Sequence, residues 1–110
     1  MESAVPPDLN AALDRMWAQF QPQILERVAI LEQAAKSFAE GKLSANDQIA
    51  ANSAAHKLAG ILGTFGLTRG TVLARELELL YSPEDEPDPS YAPRLTSIAA
   101  ELHHLIETRQ

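Results

Sequence analysis

Apolar residues recur along most of this chain at alternating three- and four-residue steps, the period of an α-helix with one buried face. Leu9, Leu13, Met16, Trp17 and Phe20 form a first stripe, and Ile24, Val28, Leu31, Ala35 and Phe38 form a second. Pro22 stands between them. Proline has no amide hydrogen and suits the first turn of a helix, so the pattern predicts one helix over 8–20, capped by Asp8, and another from Pro22 to a stop at Gly41. Pro6 and Pro7 favour extended backbone before that, so residues 1–7 are expected to be a flexible segment. Ser44, with Asp47 three residues on, resembles a capping box and opens a third helix that ends at Gly66. A fourth follows Thr68 and presents Val72, Leu73, Leu77 and Leu80. The stretch SPEDEPDPS, residues 82–90, has nothing apolar to bury and is expected to be a loop. The last helix is expected near Ser90, with Pro93 in its first turn and Leu95, Ile98, Leu102, Leu105 and Ile106 on its inner face.

Long amphipathic helices joined by short connections pack antiparallel. The expected fold is therefore all-α: an up-down antiparallel four-helix bundle with an additional short N-terminal helix, one domain over residues 1–110. At this length one core suffices without metal or disulfide staples. Trp17 and Phe65 belong to that core. The chain has no cysteine, which excludes disulfides and thiolate chemistry. A net charge of −6 argues against nucleic acid, whose phosphates demand clustered Lys and Arg. No apolar run reaches membrane-spanning length and the first residues do not resemble a signal peptide, so a cytoplasmic protein is expected.

His56 breaks the hydrophobic logic of its helix. At about 100° per residue, Ala51, Ala54, Leu58, Ile61, Leu62 and Phe65 gather on the side opposite the imidazole. Gly60 and Gly63 fall within about 40° of His56, with Asn52 and Ser53 a turn before it. The ring is thus displayed above a nearly bare patch. Glycine inside a helix costs about 1 kcal/mol against alanine, and here two occur on one face. Either something approaches the backbone there from outside, or a neighbouring helix of the same chain does and His56 is merely solvated.

The stretch from His56 to Glu78, HKLAGILGTFGLTRGTVLARELE, resembles the signature of histidine-containing phosphotransfer (Hpt) domains. That motif has a phosphorylatable histidine, an aliphatic residue two on, usually lysine three on, glycine four on and glycine ten on. His56, Leu58, Gly60 and Gly66 match it. Ala59 stands at the usual lysine position, with a lysine instead at Lys57, and Ile61 replaces a small hydroxyl residue.

The resemblance implies a phosphorelay carrier without kinase activity or an ATP site of its own. In it His56 accepts a phosphoryl group from a receiver-domain aspartate or a histidine kinase and passes it to another receiver. The partners implied are response-regulator receiver domains and a hybrid histidine kinase. No cofactor is expected on this chain, and Mg²⁺ is expected on the partner receiver. Gly60, Gly63, Ser53, Asn52 and Ala59 are the candidate docking residues. Lys57 is either a phosphate contact or a solvated flank lysine. Glu78 is either the group that orients the imidazole or an ordinary surface glutamate. A helical bundle that binds receivers without transferring phosphate is the rival function, favoured by Ala59. Glu101 and His104 make half of a di-iron motif with no matching half, and His103 and His104 diverge around their helix.

Overall fold

Four α-helices make up the described residues. A computed structural model describes residues 7–109. There α1 spans Pro7–Ala39, α2 Ala45–Thr64, α3 Thr68–Leu80 and α4 Ala92–Thr108, the last preceded by a 3-10 turn at Pro89–Tyr91. Helix α1 packs on α2 and α4, and α3 packs on the same two, so the helices close a ring in chain order. This is the up-down arrangement that short connections impose. Ile24, Val28 and Leu31 of α1 meet Leu58 and Leu62 of α2, Leu73 and Leu77 of α3, and Leu95, Ile98, Leu102 and Ile106 of α4 in one core. Each such side chain contributes about 1.5–3 kcal/mol by leaving water.

One element differs from the sequence expectation. The chain does not break at Pro22, and the separate short N-terminal helix is instead the first half of a continuous α1. An internal proline removes one backbone hydrogen bond and crowds the preceding turn, at a cost of about 3 kcal/mol. Trp17 on one side of Pro22 and Ile24, Val28 and Leu31 on the other are all buried along a single face. Two helices meeting at an angle could not bury all four together, and that packing outweighs the proline. Asp8 consequently sits in the first turn rather than at the cap. The expected flexible segment, residues 1–6, lies outside the described residues, and Pro7 already belongs to α1. At about 1.5 Å per residue, α1 alone accounts for the long dimension of the 53 × 25 × 22 Å molecule. Its early turns are thinly covered, with Leu9 and Met16 exposed. Trp17 anchors them by meeting the Phe65 ring edge-on, centroids 5.1 Å apart, while the Arg109 guanidinium lies over the indole.

Helix ends follow the local chemistry. Gly41 takes φ +70° to close α1, and Ser44 accepts a hydrogen bond from the Asp47 amide to open α2. Gly66, at φ +75°, ends α2 in a Schellman turn: its amide donates to the Gly63 carbonyl and the Leu67 amide to that of Leu62. Helix α3 then returns antiparallel along α2. Gly70 permits the close approach, because a Cβ there would lie 2.9 Å from Leu62 Cδ1. Val72, expected on the inner face, is exposed. The final helix starts at Ala92, two residues after Ser90, because Pro89–Tyr91 form the 3-10 turn capped by Asp88.

Tyr81, at the end of α3, is fully buried, and its hydroxyl has no hydrogen-bond partner among the described residues. Burial also pushes its pKa up to about 12. An unsatisfied buried hydroxyl costs on the order of 1 kcal/mol or more, so Tyr81→Phe is expected to raise the melting temperature by about 4–8 °C. In the unfolded chain the phenol ionises near pH 10, whereas in the folded chain it stays neutral to about 12. Native stability should therefore fall as pH climbs across that window, and Tyr81→Phe should remove this component. Urea midpoints at pH 9 and 11.5 measure both effects.

Candidate functional site

The α2–α3 hairpin builds the site. Its midpoint falls at Leu67, so residues equally far before and after the turn lie level across the two helices. His56 and Glu78 are such a pair. The imidazole Nδ1 lies 2.7 Å from Glu78 Oε2. The histidine side chain is 68% exposed and the glutamate 27%. A carboxylate only accepts, so Nδ1 carries the proton and, in the neutral ring, the lone pair sits on the outward Nε2. An exposed imidazole held in one tautomer by a carboxylate is a nucleophile with its proton already on the far side. Of the two roles open for Glu78 in the sequence, orientation of the ring is the one that the geometry supports.

Asn52 holds the glutamate's backbone in place. Its amide donates to the Glu78 carbonyl at 2.7 Å, tying α2 to α3 one turn from the histidine. Asn52 is half-buried, which makes it a brace between helices more than a docking residue. Arg75, one turn before Glu78, places Nη1 4.0 Å from Glu78 Oε1. Sequence reading passed over this arginine. Its signal was the Arg-x-x-Glu spacing that puts both on one face of α3.

Gly60 and Gly63 are both exposed on the His56 face. A Cβ at Gly60 would meet nothing within 4 Å, and one at Gly63 would touch only Thr71 Oγ1 at 3.6 Å. Neither glycine admits a neighbouring helix of this chain. The residue that does so is Gly70, unmarked in the sequence because its crowding by Leu62 of α2 appears only when the hairpin closes. Ser53 is half-buried beside this face. Ala59 is a correction: at 1% exposure it lies in the core and contributes nothing to a docking surface. Ile61 and Phe65, expected fully inside, are only partly buried. Lys57 is exposed and lines a groove between α1 and α2 with Gln23, Glu26 and Arg27, on the other flank of the histidine from Arg75.

The remaining candidates are engaged elsewhere. Glu101 accepts from Arg69 at 2.9 Å, which holds its carboxyl below the usual range, and His104 is an exposed residue on the same helix. His103 pairs with Glu32 of α1 at 3.0 Å, an interaction that raises its pKa. Among the described residues no group of three or more His, Asp or Glu gathers to hold a metal ion. No described helix is long and apolar enough to cross a membrane.

Comparison with known proteins places the chain in a family. Protein RcaC of Microchaete diplosiphon is 34% identical over 97 residues, covering 88% of this chain but only 15% of that protein. The chain thus spans about a seventh of the relative's length. No solved structure matches. The family described as Hpt domain matches residues 15–109, which takes in α2, α3, α4 and all but the first two turns of α1. With His56 displayed on a four-helix bundle at the motif position, the chain belongs to the histidine-containing phosphotransfer (Hpt) domain family, the phosphocarrier modules of phosphorelays.

Proposed function

We propose that His56 is the phosphoryl acceptor of this carrier, taking the group from a receiver-domain aspartate or a histidine kinase and handing it to another receiver. The observation that carries this is the Nδ1–Glu78 hydrogen bond, which leaves Nε2 free in solvent. In the forward step the Nε2 lone pair attacks the phosphorus of an aspartyl phosphate. An N–P bond forms, the P–O bond breaks, and the aspartate leaves as carboxylate with the electron pair. No proton has to move: Nδ1 keeps its hydrogen, the ring becomes a phospho-imidazolium, and the Glu78 carboxylate faces its positive charge. The return step runs through the same geometry.

Receiver domains are the partners this chemistry calls for, with their own Mg²⁺ neutralising the phosphoryl oxygens. Gly60, Gly63 and Ser53 form the open face on which a receiver would close over the ring. Lys57 lies outside the hairpin pair, and its long stem is the only route by which it could reach the phosphoryl group. A receiver-binding module that has lost transfer is the second reading, favoured by the alanine at position 59.

Transfer of label from a panel of phosphorylated receivers tests the proposal, with ³¹P NMR of the product. Acid-labile, base-stable label with the resonance of Nε2-phosphohistidine is expected. Receivers that bind without labelling the chain would make the second reading the better one. Label on Nδ1 would overturn the role given to Glu78.

A further inference from the structure

The phosphoryl oxygens carry two negative charges beside the Glu78 carboxylate on a chain already at −6, and the imidazolium ring balances only one of them. A further cation would stabilise the group. The motif position that usually supplies one is Ala59, which is buried. Among the described residues, cations stand on both flanks of the ring, Lys57 with Arg27 on one and Arg75 on the other. Lys57 lies toward α1, in a groove shared with Glu26. Arg75 lies on the hairpin partner of α2, one carboxylate away from the imidazole: its Nη1 is 4.0 Å from one Glu78 oxygen while the other oxygen is 2.7 Å from Nδ1. It also lines a solvent-open concavity of about 300 Å³ with Asn52, Glu78, Leu79 and Ser82, so the guanidinium has room to move.

We infer that Arg75 is the residue that contacts the phosphoryl group on His56, exchanging its Glu78 partner for phosphoryl oxygens. This rests on the acceptor role proposed for His56. The present Arg75–Glu78 contact is easily given up. It is a single long approach, and the arginine side chain is 61% exposed, conditions under which an ion pair contributes little. A phosphoryl dianion offers the planar guanidinium two oxygens at once and a larger charge. Glu78 keeps Nδ1–H throughout, because the oxygen that Arg75 approaches is not the one bonded to the ring. The exchange moves no proton and breaks no covalent bond. It gives the charged and uncharged carrier different positions of one arginine on the face that a receiver touches.

The experiment charges the protein directly with phosphoramidate and titrates the phosphohistidine by ³¹P NMR in native, Arg75→Gln, Arg75→Lys and Lys57→Gln proteins. A nearby guanidinium favours the dianion, so Arg75→Gln is expected to raise the phosphoryl ionisation by on the order of half a pH unit, with Arg75→Lys between. Transfer from a phosphorylated receiver should fall roughly tenfold in Arg75→Gln, recover in part in Arg75→Lys, and change less than about twofold in Lys57→Gln. Position 75 is solvent-facing, so melting temperatures should agree among all four. Identical titrations for native and Arg75→Gln, or a larger loss in Lys57→Gln, would overturn the inference and leave His56 as acceptor. Failure of the native protein to take phosphate from phosphoramidate or from any receiver would remove the acceptor role and this inference with it.

Discussion

His56→Gln is expected to accept no phosphoryl group from any donor while melting within about 2–4 °C of the native protein. The two halves of that result have separate causes. Glutamine offers an amide nitrogen whose lone pair is delocalised into the carbonyl, so it cannot attack phosphorus. The other histidines are not expected to stand in: both lie on α4, away from the hairpin site, and His103 faces Glu32 through Nδ1 and Glu107 through Nε2. The fold is spared because the imidazole, mostly in solvent, has Glu78 as its hydrogen-bond partner among the described residues, and such surface substitutions usually stay within about 0.5 kcal/mol. Receiver binding should survive, since the face around Gly60 and Gly63 does not change. A calorimetric scan, a labelling gel and a pull-down together check all three statements. Residual label on the variant would mean that a second residue is phosphorylated.

Glu78 should show a graded loss. Glutamine at 78 can still accept from Nδ1–H, so the tautomer survives, but the negative charge facing the phospho-imidazolium is gone. Two unit charges about 4 Å apart are worth about 1 kcal/mol in water and about 4 kcal/mol near a protein surface. For a site as exposed as this one the lower part of that range applies, and Glu78→Gln should transfer roughly tenfold more slowly. Glu78→Ala removes the acceptor too and frees the ring to take its other tautomer, for a loss of up to about a hundredfold. Neither change should loosen the hairpin, because Asn52 bonds the backbone carbonyl of residue 78 and not its side chain. ¹⁵N spectra of the imidazole supply the reading that a structural effect would not give: Nδ1–H should dominate in native and Glu78→Gln, and lose its dominance in Glu78→Ala. Equal transfer rates in all three would reduce Glu78 to a bystander.

The inward stripes were legible because burial acts on every third or fourth residue of a helix, and the leucines and isoleucines of α2 to α4 obey that rule nearly throughout. Pro22 was misread for the opposite reason. Its local preference is strong, but the packing of Trp17 and Ile24 on one face decides continuity, and that packing is invisible until the helices are assembled. His56 stood out because an imidazole opposite a buried face has few structural explanations. Gly60 and Gly63 were placed correctly on the exposed face. Ala59 was assigned to the docking surface from motif position, although the packing of its helix against the bundle covers it. Gly70 and Arg75 gave little local sign. Each acquires its meaning from a residue brought near by the fold, Leu62 for one and the Glu78–His56 pair for the other.

The hairpin centred on Leu67 makes the stretch from His56 to Glu78 a ruler. One residue added between them would turn one partner about 100° around its helix and slide it about 1.5 Å, parting imidazole from carboxylate. Substitutions can accumulate along this segment, but its length cannot drift without losing the pair. The acidic loop over 82–88 is held only at its start, where Gln48 donates to the Ser82 and Asp85 carbonyls, and the overhanging start of α1 is free of the pair. Insertions at those two places are expected to leave the pair intact, whereas any chain that uses it is expected to keep its 22-residue spacing.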